Sequence, residues 1–399
     1  MTTAFYSSLF TRTLEFPTDY PGDSERRFSS LDCDLTEDCT LRCSYCFKGD
    51  MLRRRMPPDI AREMVRWLAR FSGETRDLHI TIMGGEPMLA IDHMHAWVPF
   101  AVNYCEQRGK KLHVGITTNL TQFTGEHVAF FRKWHISMHT SIDGIPEVQD
   151  ACRVFPDGRG SSVAVEKNLA NLFRAWRTSH ARSTIVPESI QHLAESFAYF
   201  LDKGFLKVAF AVVASPEWLE PERLAVLRTQ LRSVLDIYVG RIRNDGKYYC
   251  LTLVDQFFES EKRARQTWHC GAAVGLVHVD AEGFLWPCHR FNGNRANEQW
   301  VLGHVKGGYH PDRRNAFLNI NPTRDIKANC DACPAVYFCG CPCIAASWQD
   351  NGDLFDPGKG YCEAKRAIYE TIRDYFDELS ESDPKLFSQI KDWAANYKW

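Results

Sequence analysis

Two parts of the chain place cysteines at spacings that suit a metal ion or an iron–sulfur cluster. In the first part, Cys39, Cys43 and Cys46 lie in the segment CTLRCSYC and are spaced C-x3-C-x2-C. Four protein thiolates complete a four-iron cluster, so a motif with three leaves one iron with an open coordination position. Three structural or zinc-binding thiols are the alternative. The segment therefore predicts either a structural metal site or an open cluster at which chemistry takes place.

The second cysteine-rich part runs from residue 270 to residue 362. Cys270 and Cys288 flank the segment 277–286, which we expect to form a hairpin turning at 281–283 that brings both cysteines together. The others follow at C-x2-C-x5-C-x3-C spacing and then singly, as Cys330, Cys333, Cys339, Cys343 and Cys362. Taken alone, this region is consistent with a zinc ribbon as well as with iron–sulfur clusters.

Composition narrows the class of protein. The 399 residues allow two or three domains, and 48 Lys and Arg against 50 Asp and Glu predict no general attraction to nucleic acid or to an anionic membrane. The N-terminal segment has no signal-peptide pattern, and no apolar run is long enough for a membrane span, so we expect a cytoplasmic protein. Its 15 cysteines then favour metal or redox ligation over disulfides. Cys33, Cys105 and Cys152 lack ligand spacing and are predicted to be buried, packed thiols.

Six apolar segments alternate with amphipathic ones across the first half of the chain. The predicted strands lie at 31–35, 78–82, 112–118, 136–142, 182–186 and 206–213, and the helices between them at 59–71, 93–107, 125–134, 163–178 and 190–203. Regular alternation of strand and helix indicates an α/β fold with parallel strands, as a doubly wound sheet or a barrel. A long amphipathic helix opened by Pro216 and Pro221 follows, and another is predicted over 363–381.

Polar motifs follow four of these strands. The cysteine loop comes after the first strand, and the next three end in Gly84-Gly85-Glu86-Pro87, in the run TTN that closes with Asn119, and in the run SIDG that opens with Ser141. Because the carboxyl ends of parallel strands meet at one edge, we expect the active site there. Adjacent glycines let backbone approach a ligand closely, although a tight turn would also explain them.

The cysteine loop and these strand-end motifs resemble those of the radical S-adenosylmethionine (radical SAM) superfamily. The resemblance implies a partial (β/α)6 TIM-type barrel in which the open iron binds S-adenosylmethionine, and one electron cleaves it to a 5′-deoxyadenosyl radical. It also implies that Tyr45 and the 84–87 turn contact the cofactor, with Glu86 near the methionine amino group, and that Asn119 and Ser141 contact its ribose or carboxylate. Arg153 would pair with the methionine carboxylate or, alternatively, form a surface ion pair.

The second cysteine region resembles the SPASM domain, a small cysteine-rich C-terminal domain that holds two auxiliary clusters. The ligand pattern of SPASM domains, applied to this sequence, implies an outer cluster held by Cys330, Cys333, Cys339 and Cys362. It implies an inner cluster held by Cys270, Cys288 and Cys343. Together with the first motif this implies three four-iron clusters. The fourth ligand of the inner cluster is Cys250, Cys341 or a substrate group at an open iron.

These observations predict a division of the chain into five parts: a lead-in at 1–30, the barrel at 31–214, a bridging region at 215–268, the SPASM domain at 269–362 and a C-terminal helix at 363–399. Neither end has room for a fused peptide-recognition domain. We therefore expect either a separate small recognition protein or direct binding of the substrate by the barrel mouth and residues 1–30.

The resemblance implies a peptide maturase that abstracts hydrogen from a ribosomally made precursor peptide and forms a thioether or carbon–carbon cross-link or another oxidation. A flavodoxin- or ferredoxin-type protein would supply electrons. A sulfatase-type maturase that forms formylglycine is one alternative, and a non-catalytic iron–sulfur carrier is another.

One position separates the two enzymatic alternatives. Sulfatase-type maturases carry an Asp that acts as the catalytic base directly after the cysteine that matches Cys288. At this position the present chain has His289, followed by Arg290. We expect His289 to act as a base or as a donor to the inner cluster, with Arg290 favouring its neutral form, although a packed histidine without a role in turnover is the alternative.

Overall fold

A computed structural model describes residues 27–49, 53–261, 270–293, 298–320, 325–330, 332–340 and 342–396. Most of the predicted lead-in and Cys341 lie outside these residues. Strands in the described ranges are β1 (Ser30–Cys33), β2 (Arg42–Cys43), β3 (Asp77–Ile82), β4 (Lys111–Thr118), β5 (Ser137–Ser141), β6 (Arg153–Val154), β7 (His180–Ile185), β8 (Lys207–Val212), β9 (Cys250–Leu251), β10 (Leu276–Val279), β11 (Phe284–Trp286) and β12 (Gly303–His304).

Most helices lie between these strands or follow them. The α-helices are Pro58–Phe71, Ile91–Glu106, Gly125–Lys133, Pro146–Cys152, Ser162–Ala175, Leu193–Asp202, Pro221–Asp245, Thr252–Ser260, Pro311–Leu318, Val336–Cys339, Ile344–Asn351, Lys359–Ser382 and Pro384–Asn396. Short 3₁₀ turns occupy Pro87–Ala90, Pro187–His192, Pro216–Leu219 and Glu298–Trp300. None of the described helices is long and apolar enough to cross a membrane.

One sheet carries ten of the described strands, in the order β12-β11-β10-β1-β3-β4-β5-β7-β8-β9. Within it, β1, β3, β4, β5, β7 and β8 pair in parallel with their neighbours, and these are the six strands that the sequence predicts. Helices connect them, so the predicted α/β class is confirmed. The short strands β2 and β6 form a separate antiparallel pair.

Alternation along the parallel strands separates an apolar face from a polar one. In β3 the side chains of Leu78, Ile80 and Ile82 are at most 1% exposed and pack under the helices, while His79 and Thr81 lie on the opposite face. Successive residues of a strand point to opposite sides. Parallel strands that are buried on both faces are apolar throughout. The strict alternation therefore indicates that the inner face of this sheet is in contact with water.

The predicted hairpin is present as β10 and β11, with His278 opposite Trp286. Asp280 organises its turn: Oδ1 accepts hydrogen bonds from the backbone of Glu282 and Phe284, and Oδ2 accepts one from Trp286 Nε1 at 2.9 Å. Strand β10 also pairs in parallel with β1. The hairpin therefore extends the barrel sheet next to the strand that leads to Cys39.

The C-terminal region differs from the prediction in one element. The predicted helix over 363–381 is present as Lys359–Ser382, but a second helix, Pro384–Asn396, follows it. Asp383 separates the two and accepts a hydrogen bond from the backbone N–H of Leu386, as an N-cap residue does. The sequence carries this signal as Asp-Pro, which the helical periodicity across it conceals.

Candidate active site

The three cysteines of the first motif come together on the loop after β1. Cys43 lies in β2, opposite Arg153 of β6, and the N–H of Cys46 donates to the carbonyl of Cys43 at 3.1 Å. Burial and the nearby charges of Glu86, Cys43 and Cys46 together raise the pKa of Cys39 to about 12. Burial raises the pKa of Cys43 to about 11. Thiols held this close favour the thiolate form only when a cation such as iron binds them.

Donors surround two of the sulfurs. The backbone N–H of Leu41 and the side-chain Nδ2 of Asn119 lie 3.5 Å and 3.7 Å from Cys39 Sγ. Arg153 Nη1 lies 3.9 Å from Cys43 Sγ. Hydrogen bonds to cysteine sulfur stabilise its negative charge and tune the potential of a bound cluster. The donor set therefore fits an iron–sulfur cluster at these cysteines.

Glu86 joins the second and third strand ends. Its carboxylate is fully buried: Oε1 accepts hydrogen bonds from the Met88 N–H at 3.0 Å and from Thr118 Oγ1 at 2.7 Å, and Oε2 accepts one from the Asn119 N–H at 2.7 Å. Burial raises the pKa of Glu86 to about 7, although these three donors lower it. The Glu86 carboxylate thus links the two strand ends through hydrogen bonds within the protein. Its contact with S-adenosylmethionine stays a prediction.

The two glycines before Glu86 are needed for packing within the protein. Gly84 has a φ of +103°, and a Cβ there would lie 2.2 Å from the carbonyl oxygen of Thr36. A Cβ on Gly85 would lie 2.0 Å from the carbonyl oxygen of Asp38. The space that the missing side chains leave is filled by backbone leading into the cysteine loop. The predicted reason for the glycines, room for a ligand, is therefore replaced by contact with that backbone.

Asn119 ties the third strand end to the same loop. Its Nδ2 donates to Thr40 Oγ1 at 3.0 Å, and its Oδ1 accepts hydrogen bonds from the N–H and hydroxyl of Thr121. Both ends of the amide thus contact the protein. Asn119 thus closes a turn with Thr121 and also lies close to Cys39.

Arg153 forms a buried ion pair. Its guanidinium donates to Asp143 through Nε at 2.9 Å and Nη2 at 3.1 Å. The hydroxyl of Tyr45 also donates to Asp143, and the Thr184 N–H donates to it at 2.9 Å. Arg153 is 7% exposed, so the alternative of a surface ion pair is wrong, and its predicted pairing with a methionine carboxylate would have to share the guanidinium with Asp143.

His289 faces the first strand. Its Nδ1 lies 3.0 Å from Asp32 Oδ2 of β1. Burial lowers the pKa of His289, and Asp32 opposes this shift. The neutral form is favoured as predicted, but burial is the main cause instead of Arg290, whose guanidinium lies over the Phe47 ring and contacts Gln349.

A buried polar network lies beside His289. The Asp34 carboxylate is fully buried and contacts Lys48 Nζ, His278 Nε2 at 3.3 Å and Asn292 Nδ2 at 3.2 Å. Burial raises the pKa of Asp34, but Lys48 and His278 outweigh it and hold the pKa well below its usual range. Lys48 follows Cys46 and Asn292 follows Cys288, so the network connects both cysteine regions. No spacing or motif in the sequence predicts this network.

The C-terminal cysteines fall into two neighbouring sets. Burial raises the pKa of Cys288, and the charges of Cys343 and Cys270 raise it further. In the other set, burial and the charges of Cys339, Cys330 and Cys333 together raise the pKa of Cys362 to about 11.

Neither set has the geometry of a single-ion site. Within the described residues, no three His, Cys, Asp or Glu side chains are arranged to hold one metal ion. The thiolates of a four-iron cluster each bind a different iron and lie further apart than the ligands of one ion. The two auxiliary clusters at these sets stay a prediction.

Cys250 lies apart from the inner set. Its thiol donates to Asp255 Oδ2 at 2.9 Å, and it lies in β9, at the edge of the sheet opposite to the hairpin. The structure therefore does not place it as a fourth ligand. Cys33, Cys105 and Cys152 are buried, as predicted.

Apart from Ser141, the side chains that line the inside of the barrel belong to no motif that the sequence singled out. Across β1, β4, β5, β7 and β8 the face opposite the helices carries Asp32, Thr117, His139, Ser141, His180, Arg182, Thr184 and Lys207. His139 and His180 face each other, with 3.1 Å between their Nδ1 atoms. We refer to the space in front of this polar face as the chamber. Polar residues at alternate positions of predicted parallel strands were the available signal.

Comparisons with known proteins agree with this geometry. The model of the radical SAM superfamily matches residues 34–200. A cysteine-type anaerobic sulfatase-maturating enzyme of Clostridium novyi is 24% identical over 374 residues, which cover 86% of this chain and 95% of that protein.

Two solved structures share the fold. The anSMEcpe structure with bound AdoMet and the Cp18Cys peptide has a TM-score of 0.71 and 17% identity, covering 88% of this chain and 99% of that one. The structure of Streptococcus suis SuiB bound to the precursor peptide SuiA has a TM-score of 0.56 and 14% identity, covering 84% and 76%. The predicted partial barrel is thereby confirmed.

Replacing Glu86 tests the link between the strand ends. Glu86→Ala leaves two buried N–H groups and one hydroxyl without their acceptor, and we expect it to lower the free energy of unfolding by about 3 kcal/mol. Glu106→Ala, at an exposed helix end, is the control and should change it by less than about 0.5 kcal/mol. Denaturant unfolding measures both variants, and equal effects would contradict the structural role of Glu86.

Proposed function

Since residues 34–200 of the chain form a radical SAM domain, we propose that the protein is a radical SAM maturase that abstracts hydrogen from a residue of a peptide or protein. The observation that carries this proposal is the convergence of Cys39, Cys43 and Cys46 at the strand ends above a polar chamber. With S-adenosylmethionine bound, a four-iron cluster there supplies the 5′-deoxyadenosyl radical. The protein contributes binding, orientation and electrostatics.

The chain's own residues give this site its shape. Asn119 and Arg153 donate toward the cysteine sulfurs and favour their charged form. Asp143 holds Arg153 and Tyr45 in place, and Ser141 lies at the end of β5 with its side chain on the chamber side. We infer that S-adenosylmethionine is held between these residues, the 84–87 turn and Asn119.

We further infer two auxiliary clusters. Cys330, Cys333, Cys339 and Cys362 would hold the outer one, and Cys270, Cys288 and Cys343 would hold the inner one. The mutual effects of these thiols on each other's pKa support the two sets. The fourth position of the inner cluster is left to Cys341 or to a substrate group.

The proposed substrate is a ribosomally made precursor peptide, which the enzyme would cross-link or otherwise oxidise. Support comes from the polar chamber and from the peptides bound in the structures of anSMEcpe and SuiB, which share the fold. A separate recognition protein and a flavodoxin- or ferredoxin-type reductant in the cytoplasm complete the proposal.

Formation of formylglycine is the second candidate, because the relative with 24% identity along 86% of the chain is a sulfatase-maturating enzyme. His289 stands where such enzymes are expected to carry an Asp. With Nδ1 engaged by Asp32, the other ring nitrogen, Nε2, is the one that can take a proton. His289 would thus serve as a base that Asp32 orients.

Iron content tests the cluster assignment. Anaerobically reconstituted protein should hold about twelve irons, and joint replacement of Cys39, Cys43 and Cys46 by Ala should leave about eight. The variant should no longer cleave S-adenosylmethionine reductively. Iron and zinc analysis decides the matter, since zinc in the C-terminal region, or loss of all iron from the variant, contradicts the assignment.

Replacing His289 tests the proposed base. His289→Ala should retain its iron and cleave S-adenosylmethionine, yet modify the peptide roughly tenfold more slowly or worse, because a positioned base contributes at least that much. His113→Ala removes an inner-face histidine near the opposite strand ends and should behave as wild type. Mass spectrometry follows the product, and an unchanged rate for His289→Ala would indicate a packed histidine.

The two enzymatic candidates differ in product. We expect that wild type does not convert the Cys or Ser of a sulfatase-type peptide to formylglycine. Mass spectrometry detects the aldehyde after anaerobic incubation with S-adenosylmethionine and reductant. An aldehyde formed over many turnovers would favour the second candidate.

A further inference from the structure

Arg182 lies inside the chamber. It is in the middle of β7, between Ala181 and Ser183, whose side chains are at most 3% exposed, while the Arg182 side chain is exposed on the opposite face. The strand register places it beside Ser141 of β5 and Ala209 of β8. Because Ala209 is small, it leaves room for a planar guanidinium to reach into the chamber.

The guanidinium of Arg182 has no partner within the described part of the chain. Among the described residues it forms no hydrogen bond or ion pair, whereas nearby Arg153 is fully engaged by Asp143. Burial lowers the pKa of Arg182, the charge of Asp32 raises it and the charge of Arg153 lowers it, so both charged side chains lie near. The Asp32 carboxylate itself contacts His289. Arg182 is therefore a cation near the proposed base, with its donors available.

A second cation extends the positive character of this wall. Lys207 of β8 pairs in register with His180 of β7, and among the described residues it forms no ion pair. It lies one layer further from the strand ends than Arg182. His139 and His180 beside it add no positive charge, because burial lowers the pKa of both rings and favours their neutral form.

A carboxylate is the ligand that best matches the charge and the hydrogen-bond donors of the Arg182 guanidinium. Guanidinium presents planar, paired donors that match the two oxygens of a carboxylate. A cation that is partly removed from water without a partner is unfavourable, so an anionic ligand that enters the chamber is stabilised there.

We propose that Arg182 binds the acidic side chain of an Asp or Glu in the peptide substrate, close to the residue that loses hydrogen. This inference rests on the proposed function in taking a peptide as the substrate. A peptide source is favoured over the carboxylate of S-adenosylmethionine because Arg153 is the arginine expected to meet that carboxylate, and because the charge of Asp32, which contacts His289, acts on Arg182. S-adenosylmethionine is expected at the strand ends.

Peptide selection tests the proposal without requiring turnover. A random mRNA-displayed peptide library is captured anaerobically on the reconstituted full-length enzyme with S-adenosylmethionine present. Wild type should enrich Asp or Glu at one position, and Arg182→Gln should lose that enrichment. Arg174→Gln removes an exposed surface arginine and should select as wild type does. Absence of acidic enrichment from wild type, including capture of no peptide, would overturn the proposal, as would enrichment that persists in Arg182→Gln.

A double-mutant cycle assigns the contact. In the best captured peptide the acidic residue is replaced by its amide, and affinity is measured by fluorescence anisotropy. Each change alone should weaken binding about tenfold, and both together should weaken it no further, because they remove one interaction. Arg182→Lys keeps the positive charge but lacks the planar pair of donors, so its affinity for the peptide should lie between those of wild type and Arg182→Gln.

Binding of S-adenosylmethionine distinguishes the two sources of a carboxylate. Its dissociation constant should stay within roughly twofold of wild type in Arg182→Gln. A loss of about tenfold or more, with unchanged peptide selection, would instead assign Arg182 to the cofactor and overturn the proposal. Absence of 5′-deoxyadenosine in turnover assays would contradict the proposed function and leave these binding results intact.

Discussion

A single buried carboxylate, that of Asp143, holds the candidate site together. It accepts hydrogen bonds from Tyr45 on the cysteine loop, from Arg153 on β6 and from the backbone of Thr184 on β7. A buried carboxylate is costly unless charged and polar donors satisfy it, and here four donors do. The loop, the short β2–β6 pair and the central sheet therefore share one electrostatic anchor. Without that carboxylate, the Arg153 guanidinium beside Cys43 would be buried and unpaired.

The polar inner face imposes the second constraint. TIM barrels ordinarily fill their interior with branched apolar side chains. In the described part of this barrel the central strands instead direct Thr, Ser, His, Arg and Lys inward, and the apolar core lies between the sheet and the helices. The sheet derives its stability from one face only, which leaves the other face available for a ligand.

The local features of the site were predictable from the sequence, and its long-range pairs were not. The strands and their polar ends follow from short-range alternation and from glycine turns, so Glu86, Asn119 and Ser141 could be placed at one edge. The contacts of Asp34 with His278 and Asn292 join positions more than 240 residues apart in sequence, and no local pattern announces them. Arg153 shows the same limit, because the sequence predicts an anionic partner for it without indicating that this partner is Asp143. The segment that contains Arg182 is predicted only as a strand, so nothing in it singles out Arg182 as a binding residue.

The pairing of β10 with β1 bears on how this architecture could be rearranged. Hydrogen bonds run continuously from the barrel through β1 to the hairpin, and Arg54 bridges Glu37, just before the cysteine loop, and Glu282 in the hairpin turn. A cut at the start of the hairpin would break a sheet in its interior and expose unpaired strand edges on both fragments. The C-terminal cysteine region is thus unlike a module attached by a linker, and grafting it onto another barrel would require transferring β1 with it. The separation between the two cysteine regions is correspondingly set by the spacing of neighbouring strands.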